Sequence, residues 1–179
     1  MRLSIHKKEG LWRLSDMEEI HVQLLRQAAD DASLKDEKEG QARLYPLPVS
    51  SQDTAREGEF LEDWKEYVTD ELHTQFASDV GILLDDIDAL EKESDEKKEP
   101  ELKFKLSVPL DHGTAWFSTL NQARLLLDQQ YLLHPGGQDF EPDAGPESIG
   151  DLDPAQRFAA YMRYEFYAVI QEWIVKHVL

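Results

Sequence analysis

Cysteine is absent from the 179-residue chain, which excludes disulfide bridges, thiolate nucleophiles and metal centres ligated by cysteine. A secreted scaffold that depends on disulfides is excluded for the same reason. Long apolar runs are missing too, because no stretch approaches the length that a membrane-spanning helix needs. The N-terminal sequence MRLSIHKKEG also lacks the apolar core of a signal peptide. We therefore expect a soluble, cytoplasmic protein.

Basic residues are scarce in this sequence. The chain carries 19 Lys and Arg residues against 37 Asp and Glu residues, a formal net charge of −18. This balance disfavours direct basic contacts to nucleic acid and binding to anionic membranes, because phosphate groups would be repelled. The simplest interpretation of the acidic excess is solubility. Attraction of a basic protein partner and imitation of DNA are two further interpretations that stay open.

Recognisable catalytic and metal-binding motifs are missing as well. The six histidines do not stand at the spacings of zinc ligands, and the acids at 85–88 lack the glycine and terminal glutamate of a calcium-binding loop. The chain contains no nucleophile elbow and no glycine-rich phosphate loop. We therefore predict no catalytic residue, no metal site and no cofactor, and an enzyme is the less favoured class.

Alternating apolar and polar residues predict a small sheet. Residues 2–14 have this pattern on both sides of a turn that ends in Gly10, which is typical of a β-hairpin. Residues 102–108 alternate in the same way and end at Pro109. Because an isolated hairpin is only marginally stable, we expect the third segment to join it in an antiparallel three-stranded sheet.

Helical periodicity covers most of the remaining sequence. Ser15, with Glu18 three residues later, predicts the start of a first helix that ends before Ser33. Residues 57–91 form either one long helix or, as we prefer, two helices that meet near Thr69. Asp111 is expected to cap the next helix, which runs to Tyr131.

The last predicted helix spans about 154–178 and is apolar on nearly all sides, which is typical of a central helix in a bundle. The predicted fold is therefore α+β and mainly helical, with about five helices, the last two central, in a single domain over 1–179. Two segments interrupt it: a mobile charged loop at 91–101 and a long loop rich in proline and glycine at 134–153.

One constellation on the predicted fourth helix suggests a binding site. Asn121, Arg124 and Asp128 are three and four residues apart and so share one helix face. We expect Asp128 to satisfy the Arg124 guanidinium, and Gln171 on the last helix to join the network. The group is either a structural network or a pocket for a small anionic metabolite, in which Arg124 would clamp the anion.

Four pieces of the sequence between residues 40 and 179 carry a family resemblance. The most specific is a helix with the pattern Trp-x3-Leu-Asn-x2-Arg, formed by Trp116, Leu120, Asn121 and Arg124. The chain resembles an uncharacterised bacterial family, a domain of unknown function best represented in actinobacteria. The other three pieces are ARLYP at 42–46, the segment from Glu59 to Leu72, and Tyr161, Tyr164 and IQEW at 170–173.

The resemblance implies no established activity. Members are thought to occur near genes for an adaptor of Clp-type proteolysis, which implies a regulatory or housekeeping role. Together these observations predict a non-enzymatic cytoplasmic interaction or regulatory protein with a protein partner. The alternative is an enzyme or sensor that binds a small anionic metabolite near Arg124, and a homo-oligomer is possible in either case.

Overall fold

A computed structural model of the chain describes residues 1–33, 40, 43–45, 58–93, 103–134, 140 and 152–179. These residues form a mainly helical α+β fold. In chain order, the elements are strand β1 (Arg2–His6), strand β2 (Leu11–Met17), helix α1 (Glu19–Asp31), helix α2 at 58–88, strand β3 (Glu91–Glu93), strand β4 (Lys103–Pro109), helix α3 (Gly113–Tyr131) and helix α4 (Pro154–His177).

The four strands form one antiparallel sheet in the order β1-β2-β4-β3. The predicted hairpin is confirmed, and Gly10 has φ +69° in its turn, a conformation that glycine adopts without steric cost. The predicted third strand is β4. A fourth strand corrects the prediction of a charged loop at 91–101, since Glu91–Glu93 pairs with β4. The rest of that predicted loop lies outside the described residues.

The start of α1 also differs from the prediction. Ser15 lies inside β2 and does not cap the helix, because the strand continues to Met17, whose side chain is fully buried and which pairs with Phe104. The helix cap is Glu18, whose backbone N–H donates to Nδ1 of His21 at 3.0 Å. Burial of Met17 therefore decides where the strand ends, and the local capping signature at Ser15 does not.

Helix α2 is one continuous helical segment instead of two helices. It is α-helical over Gly58–Asp63, π-helical over Trp64–Thr69 and α-helical again over Asp70–Asp88. Thr69 has helical dihedral angles and its side chain caps nothing, so the predicted break is wrong. Because 58–88 is one unit, the described residues contain four main helices and not five. Asp111 likewise lies in a short 3₁₀ turn before α3, which begins without a side-chain cap.

The core lies between one face of the sheet and the four helices. Helix α3 is at its centre, with Trp116, Leu120 and Ala123 fully buried. The Trp116 ring meets that of Trp12 on β2 edge to face, with 5.1 Å between centroids, and so joins helix to sheet. The prediction that both last helices are central holds for α3 only, because α4 leaves Phe158 and Met162 about half exposed.

None of the helices in the described ranges combines the length and the apolar character that a membrane crossing requires. Of the predicted loop at 134–153, His134, Phe140, Leu152 and Asp153 are described, and the remainder lies outside the described residues. Phe140 stacks on Tyr161 of α4, with 3.9 Å between ring centroids and 5° between the ring planes.

Candidate functional site

The side chain of Arg124 links α3 to α4. Its Nη1 donates to Oε1 of Gln171 at 2.7 Å, and its Nη2 donates to the Tyr164 hydroxyl at 2.9 Å. The guanidinium carbon also lies 4.3 Å from the centre of the Tyr164 ring. Gln171 is buried and donates its own amide N–H to the carbonyl oxygen of Phe117 at 3.2 Å. The structure thus brings Arg124 and Gln171 together in a network between two helices.

Asp128 is not part of that network, although it shares a helix face with Arg124. One of its carboxylate oxygens accepts from the backbone N–H of His134 at 2.9 Å and lies 3.0 Å from Nδ1 of the same residue. The expected Arg124–Asp128 pair is therefore wrong. Leu132, at φ +47°, reverses the chain at the end of α3 and returns His134 to Asp128. Asn121 is half-buried and makes no side-chain hydrogen bond within the described part of the chain.

One donor of Arg124 stays unsatisfied in the described structure. Its Nε is buried and has no hydrogen-bond partner there. Because an unpaired buried donor is costly, such an atom marks either a strained network or a position where a ligand oxygen can bind. The two terminal nitrogens are already engaged by Gln171 and Tyr164. These two bonds use two of the five N–H donors of the guanidinium, so an anion would bind through Nε and a second N–H of a terminal nitrogen.

A second polar cluster surrounds Asp86 of α2. Nε1 of Trp116 donates to Asp86 at 2.8 Å, and Nδ1 of His112 lies 3.0 Å from both carboxylate oxygens. A carboxylate that orients a histidine also occurs in catalytic sites. Here, however, no hydroxyl group is hydrogen-bonded to His112 within the described ranges. Groups of three or more acidic or histidine side chains that could hold a metal ion are likewise not found among the described residues.

Sequence reasoning missed Asp86 because it considered the acids at 85–88 only as a calcium-binding loop. A signal was present in the helical spacing, because Asp86 lies three residues after Leu83 and so shares the helix face that the structure buries. Asp86 has only 8% of its surface exposed. A buried carboxylate at such a position requires donors from a neighbouring element, and α3 provides them.

The first part of α2 has an unusual surface, which we call the aromatic–acidic segment (residues 58–71). It contains six acidic residues and one basic residue. Tyr67 is 65% exposed and Phe60 is 48% exposed, while Trp64 is half-buried with its ring centroid 6.2 Å from that of Phe60. Exposed aromatic rings among carboxylates are not needed for the core. The sequence alone placed Trp64 on the apolar helix stripe and left the exposure of Phe60 and Tyr67 unnoticed.

Comparison with known proteins gives a family. Residues 3–178 match the Domain of unknown function (DUF2017). The chain belongs to this family. The expected membership in a family of domains of unknown function is thereby confirmed, and the match extends over the hairpin, which the resemblance had not covered. No curated protein and no solved structure matches the chain.

Proposed function

We propose that this protein is a non-enzymatic cytoplasmic interaction protein with a regulatory role, and that its aromatic–acidic segment binds a cationic segment of a protein partner. The observation that carries the proposal is the exposure of Phe60 and Tyr67 on a helix whose residues 58–88 contain ten acids and a single lysine. Groups of large exposed apolar side chains are typical of interaction surfaces, whereas single exposed apolar residues are common everywhere.

Lysine and arginine side chains complement this segment in two ways. Their charges are attracted by Glu62, Glu66 and Asp70, all of which are exposed. Their alkyl stems and cationic heads also pack on aromatic faces, as in cation–π contacts. A surface that imitates DNA needs acids in place of the phosphate groups and needs no exposed aromatic rings between them. The interleaving of acids with Phe60 and Tyr67 therefore favours docking of a protein over imitation of DNA.

The backbone supports a specialised role for the same segment. Residues Trp64–Thr69 are π-helical, a conformation that is rare and that occurs mostly as short turns inside α-helices at functional sites. Leu61 is buried but lies outside the main hydrophobic cluster of the core. The segment is therefore anchored separately from that core, and its aromatic surface is not required to hold the sheet and the central helix together.

The experiment is a fluorescence-anisotropy titration with a labelled short peptide of alternating lysine, arginine and leucine. We expect Tyr67→Ser to weaken binding about fivefold, the effect of losing roughly 1 kcal/mol of ring contact. Phe158→Ser on α4 is the matched control, because Phe158 is also an exposed aromatic residue and the substitution leaves the net charge unchanged. Equal effects of the two substitutions would show that the peptide only follows the overall negative charge, which would refute the proposal.

A small anionic metabolite bound near Arg124 is the second candidate function, and the unpartnered Nε is the observation that favours it. In this case a phosphorylated or carboxylated metabolite would raise the Tm of the native protein, and Arg124→Ala would abolish the increase. If Arg124 only joins the two helices, Arg124→Ala lowers the Tm and no metabolite in the panel changes it. A thermal-shift screen of such metabolites separates the two cases.

A further inference from the structure

A cavity of about 320 Å³ lies between the end of α1, residues 44–45, helix α2 and helix α3. Its volume is in the range of sites for small molecules, roughly 300–1,000 Å³. The lining includes Ser33, Tyr45, His73, Phe76 and Gln122. No lysine or arginine of the described ranges lines it, so this described lining offers no counter-charge to an anion.

One wall of the cavity is aromatic. The rings of Tyr45 and Phe76 are nearly parallel, 23° apart with 5.7 Å between centroids, and the His73 ring lies 6.4 Å from that of Tyr45. Burial raises the pKa of the Tyr45 hydroxyl, so this phenol is uncharged at neutral pH. Flat aromatic molecules stack on such surfaces with a geometry that aliphatic molecules do not match.

A polar part of the cavity lining is Gln122, which is only 3% exposed. Its Nε2 donates to the Ser118 hydroxyl at 3.2 Å. This bond occupies the amide nitrogen and leaves the amide oxygen, an acceptor, for the cavity.

We propose that this cavity binds a small neutral aromatic molecule that carries one N–H or O–H group. The ring contacts Tyr45 and Phe76, and the donor group bonds to Oε1 of Gln122. A cation is disfavoured because none of the described residues that line the cavity carries a carboxylate. The site is separate from the aromatic–acidic segment and does not depend on the proposed interaction with a cationic partner.

The test compares indole with benzothiophene, which has the same bicyclic shape and no N–H group. Both are titrated into the ¹⁵N-labelled protein while backbone amides and the Gln122 side-chain amide are followed by NMR. We expect saturable shifts around the cavity with indole, and binding at least about fivefold weaker with benzothiophene, the effect of one neutral hydrogen bond. A merely apolar crevice would prefer the more apolar benzothiophene, and that order, or no shift with indole, would overturn the inference.

Two variants provide a matched control. Ala77 lines the cavity and is exposed, so Ala77→Leu is expected to fill the space without disturbing the core. Ser78 is the next residue of α2, is also exposed and does not line the cavity. Indole binding should be lost in Ala77→Leu and retained in Ser78→Leu. Retention in both variants, or loss in both, would contradict the assignment of this cavity.

Discussion

Replacement of Asp86 by alanine should destabilise the protein by an amount that can be worked out from its contacts. The substitution leaves Nε1 of Trp116 without its acceptor, and Trp116 has no exposed surface in the native protein. An unsatisfied buried donor costs about 1–3 kcal/mol. The side chain of His112 is about one-third exposed and regains water, so its contribution is smaller. We expect a total loss near 3 kcal/mol.

Urea denaturation measures this loss directly, and thermal melting should show a Tm lower by about 6–12 °C for a chain of this size. Asp85→Ala is the matched control, because Asp85 is exposed and its loss should cost less than about 0.5 kcal/mol. In a Trp116→Phe background no donor is stranded, so the added cost of Asp86→Ala should fall by at least 1 kcal/mol. An equal cost in both backgrounds would refute the assignment of the loss to the Trp116 N–H group.

Three further substitutions test other parts of the structure. Asp31→Ala breaks a largely buried ion pair, in which Nε of Arg163 donates to the Asp31 carboxylate at 2.8 Å, and should lower the free energy of unfolding by about 3 kcal/mol in urea denaturation. The matched control is Asp30→Ala at the exposed neighbouring residue, which should cost less than about 0.5 kcal/mol. Gly10→Ala should cost about 1–2 kcal/mol through its positive φ alone, since no atom lies within 4 Å of an added Cβ, and Gly10→Asn should cost less in the same assay. Burial raises the pKa of the Asp79 carboxyl in the folded protein above its value in the unfolded chain. The stability that this carboxyl contributes is therefore fully present below the unfolded pKa and is lost as the pH rises through the folded pKa. Asp79→Asn should therefore raise the Tm at pH 7, and the advantage should disappear near about pH 3; an advantage that persists there would contradict the shift.

Local patterns were sufficient to predict three of the four strands and most of the helices. Residues 2–14 and 102–108 alternate with the period of a β-strand, and Gly10 permits the turn of the hairpin. Both signals involve only residues that are close together in the sequence. The edge strand Glu91–Glu93 was missed because edge strands carry charges, and a short charged segment has no apolar alternation to indicate a strand. Its pairing depends on β4, which provides an ion pair between Nζ of Lys105 and Oε2 of Glu91 at 2.7 Å.

The candidate site shows where helical spacing is insufficient. Arg124 and Asp128 share a face of α3, but the direction in which each side chain extends depends on its neighbours. Arg124 turns toward Gln171 of α4, and Asp128 is occupied by His134 after the left-handed turn at Leu132. Spacing identifies which residues are near each other, whereas partner choice depends on contacts between elements that are distant in sequence.

Exposure of apolar residues was the least predictable property. Helix α4 is apolar on several sides and packs mainly against α3 and, to a smaller extent, α1, while Phe158 and Met162 remain exposed. The same uncertainty hid Phe60 and Tyr67 on α2. A single sequence shows that a helix has apolar surface, but the arrangement of the neighbouring elements determines which part of it is buried.

Binding of a cationic partner to the aromatic–acidic segment is tested most directly by a chemical-shift footprint of the cationic peptide on the ¹⁵N-labelled protein. We expect the largest changes in amide shifts within residues 58–71, and we expect them to saturate together with the anisotropy signal and to decrease as salt is added. Changes concentrated on α3, α4 or the sheet, with residues 58–71 unaffected at saturation, would contradict it.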